Sequence, residues 1–140
     1  MKYPFYSNDD LSNTKPINKE MYHYNNPYEL YIKLLNSWDV NTCTPRMRDR
    51  WNINNKTVGQ CSITAFIVQD IFGGEVYGVP LKDGHYHLFN VIGDSIFDLT
   101  SEQFQEILDY TLKYPQSRNE HFSSMDKYNR YVLLKSKLFG

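Results

Sequence analysis

The stretch VGQCSITAFIVQDIFGG, Val58 to Gly74, sets a cysteine at the first turn of a segment that is apolar almost all round. A surface helix keeps a polar stripe, and this segment keeps none, so it reads as a central, buried helix from Gln60 to about Phe72. Gly59 lets the chain turn tightly into the helix, and Gly73-Gly74 stop it with a left-handed C-terminal cap. A buried cysteine is ordinarily a small hydrophobe. Whether Cys61 is more than that depends on what the rest of the chain can bring to it.

Downstream of the glycines the period changes from helical to alternating. EVYGVPL (75–81), HYHLFNVI (85–92) and SIFDLT (95–100) are separated by Lys82-Asp83-Gly84 and by Gly93-Asp94, turn sequences that join antiparallel strands. This predicts a three-stranded meander. Thr100 with Gln103 has capping-box spacing and predicts a helix through Lys113, its inner face carrying Phe104, Ile107 and Leu108. A last helix is expected from about Ser124, with Tyr128, Val132 and Leu138 inward. Upstream, Asn26-Pro27 is a cap followed by proline at the first helical position, and Leu30, Leu34 and Trp38 form the buried stripe of the helix it opens. Asp39 to Thr57 is polar, contains Pro45 and has no period; a loop of that length is usually functional or disordered, and this one is a candidate lid or groove wall. The expected organisation is an extended N-terminal arm over residues 1–25 and a single α+β domain over 26–140, in which the buried helix packs on a small antiparallel sheet.

Composition removes several function classes. With 140 residues the chain suits one domain with a self-sufficient core. A net charge of −1, from 15 basic and 16 acidic side chains, lacks the basic excess that nucleic acid or an anionic membrane attracts. No run approaches ~18 apolar residues, and MKYPFYSNDD has no apolar signal core. With only Cys43 and Cys61, the expected setting is a reducing cytoplasm. The 12 tyrosines and 8 phenylalanines are expected mainly in packing.

The chemistry centres on Cys61. The unpaired N–H groups and positive dipole end of a helix N-terminus stabilise a thiolate and can also bind a developing oxyanion, to which Gln60 could add a side-chain donor. A base is required. His85 and His87 lie two apart on one strand and share a face. Asp98 follows His87 by eleven positions across the Gly93-Asp94 turn, which brings the two together in a hairpin. Cysteine, histidine and carboxylate can then act as nucleophile, base and orienting group. The same residues have quieter readings: Cys61 as core packing, the histidine as a structural hydrogen-bonding residue, Asp98 as a cap for the next helix. A zinc site built from His85, His87 and Cys61 or Asp98 is a third reading, weakened by the absence of a paired Cys-x-x-Cys. Cys43 in NTCTP has no base beside it in sequence and is read as a bystander; His23 and His121 receive no role.

The strings SWDVNTCTPRMRDRWNINNKTVGQCSITAFIVQDIFGGEV, HLFNVIGDSIFDLTSEQF and YNRYVLLKSKL resemble the YunG-like family of small uncharacterised bacterial proteins, over roughly Leu30 to the end. Gly59-Gln60-Cys61, then His87, Phe89 and Asn90, then Asp98-Leu99-Thr100 with Gln103 and Phe104 match its motifs. Phe89 stands where the family usually has tryptophan, and Asn55-Lys56 where it has Asn-Pro. The resemblance selects His87 over His85 as the base. The order of a cysteine on a buried helix, then histidine and aspartate on antiparallel strands, also looks like the core of papain-like and transglutaminase-like proteins, a fold-level analogy. Together these imply a cysteine hydrolase or acyl transferase acting on an amide or ester, with Cys61, His87, Asp98 and Gln60 as its site and no cofactor. Its partner would be a peptide or a small amide or ester. The alternative is a binding or structural domain in which the same residues form a hydrogen-bond network.

Overall fold

The computed structural model describes residues 3–139. In chain order its elements are β1 (Tyr6–Ser7), α1 (Pro27–Leu35), α2 (Cys61–Phe72), β2 (Glu75–Pro80), β3 (Tyr86–Ile92), β4 (Ser95–Asp98), β5 (Tyr114–Pro115), α3 (Arg118–Phe122) and α4 (Met125–Phe139), with short 3-10 turns at Pro45–Met47 and Ser101–Gln103. The fold is α+β. Its sheet has the order β1-β4-β3-β2-β5 and is antiparallel throughout. Among the described residues no helix is long and apolar enough to cross a membrane.

α2 lies against one face of the sheet. Ile63, Phe66, Ile67 and Ile71 meet Val76, Leu88, Phe97 and Leu99 in the main core, which also takes Leu30 and Leu34 from α1, Leu134 and Leu138 from α4, and Trp38, which lies beyond the end of α1 rather than on the helix as its spacing suggested. Polar groups that enter this core are paired, as burial demands: Trp38 Nε1 donates to Thr64 Oγ1 at 3.0 Å and Asn90 Nδ2 to the Ala65 carbonyl at 2.9 Å. The other face of the sheet holds a smaller cluster of Val79, Phe89 and Tyr110. The arm joins the sheet as its edge strand, Tyr6 opposite Asp98, and drives Phe5 and Leu11 into the core.

α1 opens with the Asn26 side chain accepting from the Glu29 N–H at 3.0 Å and with proline at its first position. The β3–β4 hairpin closes through a two-residue turn, Gly93-Asp94, with positive φ at Gly93 alone, the mark of a type II′ turn.

Three expectations are corrected. The helix expected from Thr100 to Lys113 does not form: only the turn Ser101–Gln103 is helical, and Ile107 is exposed rather than inward. The cause is local competition, because the Thr100 hydroxyl and N–H both bond Asp98 and cannot cap a helix. On α4 the inward stripe is Arg130, Tyr131, Leu134 and Leu138, while Tyr128 and Val132 face solvent. Gly73 ends α2 at φ 81, ψ −155, outside the left-handed helical region expected for it.

Candidate functional site

Cys61 is the first residue of α2, and no side chain caps that N-terminus. The turn into it depends on Gly59, whose φ is 72 and whose missing Cβ would lie 2.4 Å from Cys43 Sγ. Cys43 is therefore a packing residue beneath the turn, fully buried, its thiol pKa raised by burial.

The ladder between β3 and β4 runs over Asn90–Ile92 and stops at Phe97, one residue before β4 ends. Beyond it the Leu88 N–H favours the thiolate form of Cys61. In this register Asp98 falls opposite Phe89, one step diagonal to His87 and on the same face. His87 Nε2 and Asp98 Oδ2 are 2.6 Å apart, both side chains 1% exposed. With Nε2 committed to the carboxylate, Nδ1 is the ring nitrogen left for the thiol. The ring also stands edge-on to Phe104, centroids 4.7 Å apart.

Asp98 is fully engaged. Besides His87 it accepts from Tyr110 Oη at 2.6 Å, from the Thr100 N–H at 3.1 Å and from Thr100 Oγ1 at 3.2 Å. Such a carboxylate orients the imidazole and balances its charge without freedom to swing away. Burial and the Asp98 charge raise the Tyr110 pKa above its ordinary range, so the phenol remains a donor.

These contacts set the ionisation of the pair. Burial opposes the Cys61 thiolate, but the His87 ring and the Leu88 N–H outweigh it and bring the thiol down to about 7. Burial likewise opposes the imidazolium, and Asp98 with the Cys61 sulfur overcomes that and raises His87 to about 10. Between those values the pair is thiolate and imidazolium, the reactive form of a nucleophilic cysteine.

A cavity of about 340 Å³ opens onto Cys61 and His87. The loop after α1 forms one wall through Thr44, Arg46, Met47 and Arg50; Gln103 and Phe104 form another; Lys127 and Arg130 enter from α4. His85 is exposed at the edge of this cavity, apart from the Asp98 carboxylate that His87 holds. Gln60 is fully buried, its Nε2 donating to the Asp39 carbonyl at 3.1 Å while Oε1 has no partner, and it is not among the residues lining the cavity. Among the described residues no group of three His, Cys, Asp or Glu side chains stands together as metal ligands.

Tyr110, Lys127 and Arg130 were not marked by the sequence reading. Tyr110 falls in an irregular segment without a pattern to flag it. Lys127 and Arg130 do carry a signal: each lies four residues before a core residue, Tyr131 and Leu134 respectively, so basic side chains share a stripe with core residues.

Fold and site define an α+β protein with a part-exposed cysteine and a buried His-Asp pair beside a cavity. The pattern of the YunG protein family matches residues 13–140, and the chain belongs to that family. It is 38% identical over 73 residues to a Bacillus subtilis (strain 168) protein described as "Uncharacterized protein YunG"; the aligned region is 52% of this chain and 62% of that one, less than two thirds of the relative's length. No solved structure matches the chain significantly.

Proposed function

We propose that the protein is a cysteine-nucleophile hydrolase or acyl transferase acting on an amide or ester, built on a papain-like or transglutaminase-like plan. The observation that carries this reading is that Cys61 and His87 line one open cavity while Asp98 holds the far side of the His87 ring, with the thiol held near neutrality. Cys61 Sγ attacks the acyl carbon. The carbonyl π pair moves onto oxygen, where the Cys61 N–H and the α2 dipole stabilise it. Gln60 could add only its second amide hydrogen, since the first is given to Asp39. As the tetrahedral adduct collapses the C–N or C–O bond breaks, and His87 passes its proton to the departing nitrogen or oxygen. Water or an amine then gives a proton to His87, attacks the thioester and releases the thiolate.

The test is the pH dependence of Cys61 alkylation by iodoacetamide in a Cys43→Ser background. The rate should rise through a midpoint near the thiol's value of about 7, and His87→Ala should move that midpoint up toward the ordinary ~8.5. A midpoint at or above the ordinary value that ignores His87 would overturn the catalytic reading and leave a structural hydrogen-bond network.

A further inference from the structure

The cavity beside Cys61 is unevenly charged. Four cationic side chains line it, Arg46, Arg50, Lys127 and Arg130, against one carboxylate, Asp83. Two of the cations are satisfied by acids: Arg46 pairs with Asp83 at 3.5 Å, and Arg130 pairs with Asp126 at 2.9 Å while also donating to the Thr42 carbonyl. Among the described residues Lys127 and Arg50 have no carboxylate partner.

Lys127 is not a loose surface cation. It is half-buried, and its Nζ is 2.8 Å from His121 Nδ1. His121 Nε2 is 2.8 Å from Gln116 Oε1, which can only accept, so the ring proton is on Nε2 and Nδ1 offers a lone pair to the ammonium. Burial and the Lys127 charge keep the imidazole neutral, down to about 4. The chain Gln116, His121, Lys127 thus positions a cation by a neutral acceptor and leaves it without a carboxylate in direct contact. Holding an ammonium partly out of water without a counter-ion is costly unless an anion arrives to meet it. Arg50 is exposed at the same cavity, with planar donors free for a carboxylate.

Building on the acyl-transfer reading, we propose that the cavity selects acyl substrates carrying a carboxylate near the reacting carbonyl, held by Lys127 and Arg50. The other occupation for Lys127 would be to balance the single net negative charge of the Asp98, His87 and Cys61 array. The two roles differ in what they select.

The experiment compares iodoacetate with iodoacetamide on Cys61 in the Cys43→Ser protein at about pH 8, where the thiolate fraction enters both rates equally and cancels from their ratio. Lys127→Met should lower the iodoacetate-to-iodoacetamide ratio about tenfold, the effect of removing one unit charge a few ångströms from the reagent's carboxylate. Lys127→Arg should keep most of the ratio. Arg50→Gln, at an exposed position that tolerates change, should lower it by a smaller factor. A ratio unchanged in Lys127→Met and in Arg50→Gln overturns the proposal, whatever happens to the two rates together. The acyl-transfer reading fails separately, through the iodoacetamide pH midpoint. Glutarate and a short amidated peptide with an internal glutamate are then compared as protectants against iodoacetamide: protection by the first assigns the carboxylate to a small acid, by the second to an acidic side chain. Protection by neither, at matched ionic strength, counts against the proposal.

Discussion

Asp98 gathers hydrogen bonds from a ring nitrogen, a phenol, a hydroxyl and a backbone amide, and this saturation makes the neighbouring proton equilibria testable in the folding free energy. His87 is raised from 6.5 to about 10, so its contribution to stability is fully present below about 6.5 and is lost as pH rises toward about 10. Cys61 is lowered from 9.0 to about 7, so its contribution is fully present above about 9 and is lost as pH falls toward about 7. Between about 7 and 9 the folded pair keeps the imidazolium proton and the unfolded chain keeps the thiol proton, equal counts that leave no slope. Wild-type stability should be flat there. In Cys61→Ser only the histidine linkage remains, held by Asp98 without the sulfur's share, and stability should fall as pH rises above about 6.5, by up to about 1 kcal/mol per pH unit. Urea midpoints at three pH values read the difference; a flat profile in the serine variant would mean that His87 is not held protonated by Asp98. At this scale the sequence was informative where residue type alone carries chemistry. Cys61 was legible from a helix start and Asp98 from a hairpin offset, while the strand pattern left His85 and His87 both open and the family resemblance selected His87. The donors around Asp98 were not, since Tyr110 reaches it from a segment without periodicity.

At the scale of elements, the entry into α2 rests on a pair remote in sequence. Gly59 has a backbone that side-chain-bearing residues avoid, and Cys43 Sγ occupies the space where a Cβ would go. Gly59→Ala should therefore cost about 2 kcal/mol, part from positive φ and part from the clash. Cys43→Ala removes only the clash, so the double variant should be more stable than the sum of the single effects predicts, with a coupling of about 1 kcal/mol. Denaturant unfolding of the four proteins closes the cycle, and strict additivity would show that the contact carries no energy. The segment after β4 makes the complementary point. Thr100 and Gln103 have the spacing of a capping box, yet the Thr100 hydroxyl serves Asp98 and Gln103 Nε2 turns back to the Thr100 carbonyl. A local signal for a helix was overridden because a buried carboxylate needs donors more than a solvent-exposed helix end does.

At the scale of the whole molecule, the arm is part of the core although its sequence shows no period. Phe5 is 3% exposed, stacks on Tyr3 with ring centroids 4.9 Å apart and packs against Tyr31, while β1 covers the free edge of β4. Phe5→Ala should destabilise the protein by about 3 kcal/mol, the usual cost of emptying an aromatic site in a core. A loss near zero in thermal or urea unfolding would make the arm a loosely attached strap. The far end of the chain is held by a second device: Asp70 on α2 accepts from Arg118 at 2.8 Å and Lys135 at 3.0 Å, tying α3 and α4 to the central helix. That anchorage fixes the face of α4 that looks into the cavity, and with it Lys127 and Arg130.

What the sequence by itself determined is the period of each strongly patterned segment: the all-apolar helix after Cys61, the alternating strands with their glycine turns, the capped first helix and the last helix. These signals are local, set by side-chain spacing and backbone preference within a few residues. Only the tertiary structure decided which polar groups share a buried site. It turned Thr100 and Tyr110 toward Asp98, set Cys43 under Gly59, put Gln60 against the Asp39 carbonyl and brought Lys127 to the cavity beside Cys61. Those choices follow from pairing most of the charges and hydrogen-bonding groups removed from water, a condition imposed by partners distant in the chain.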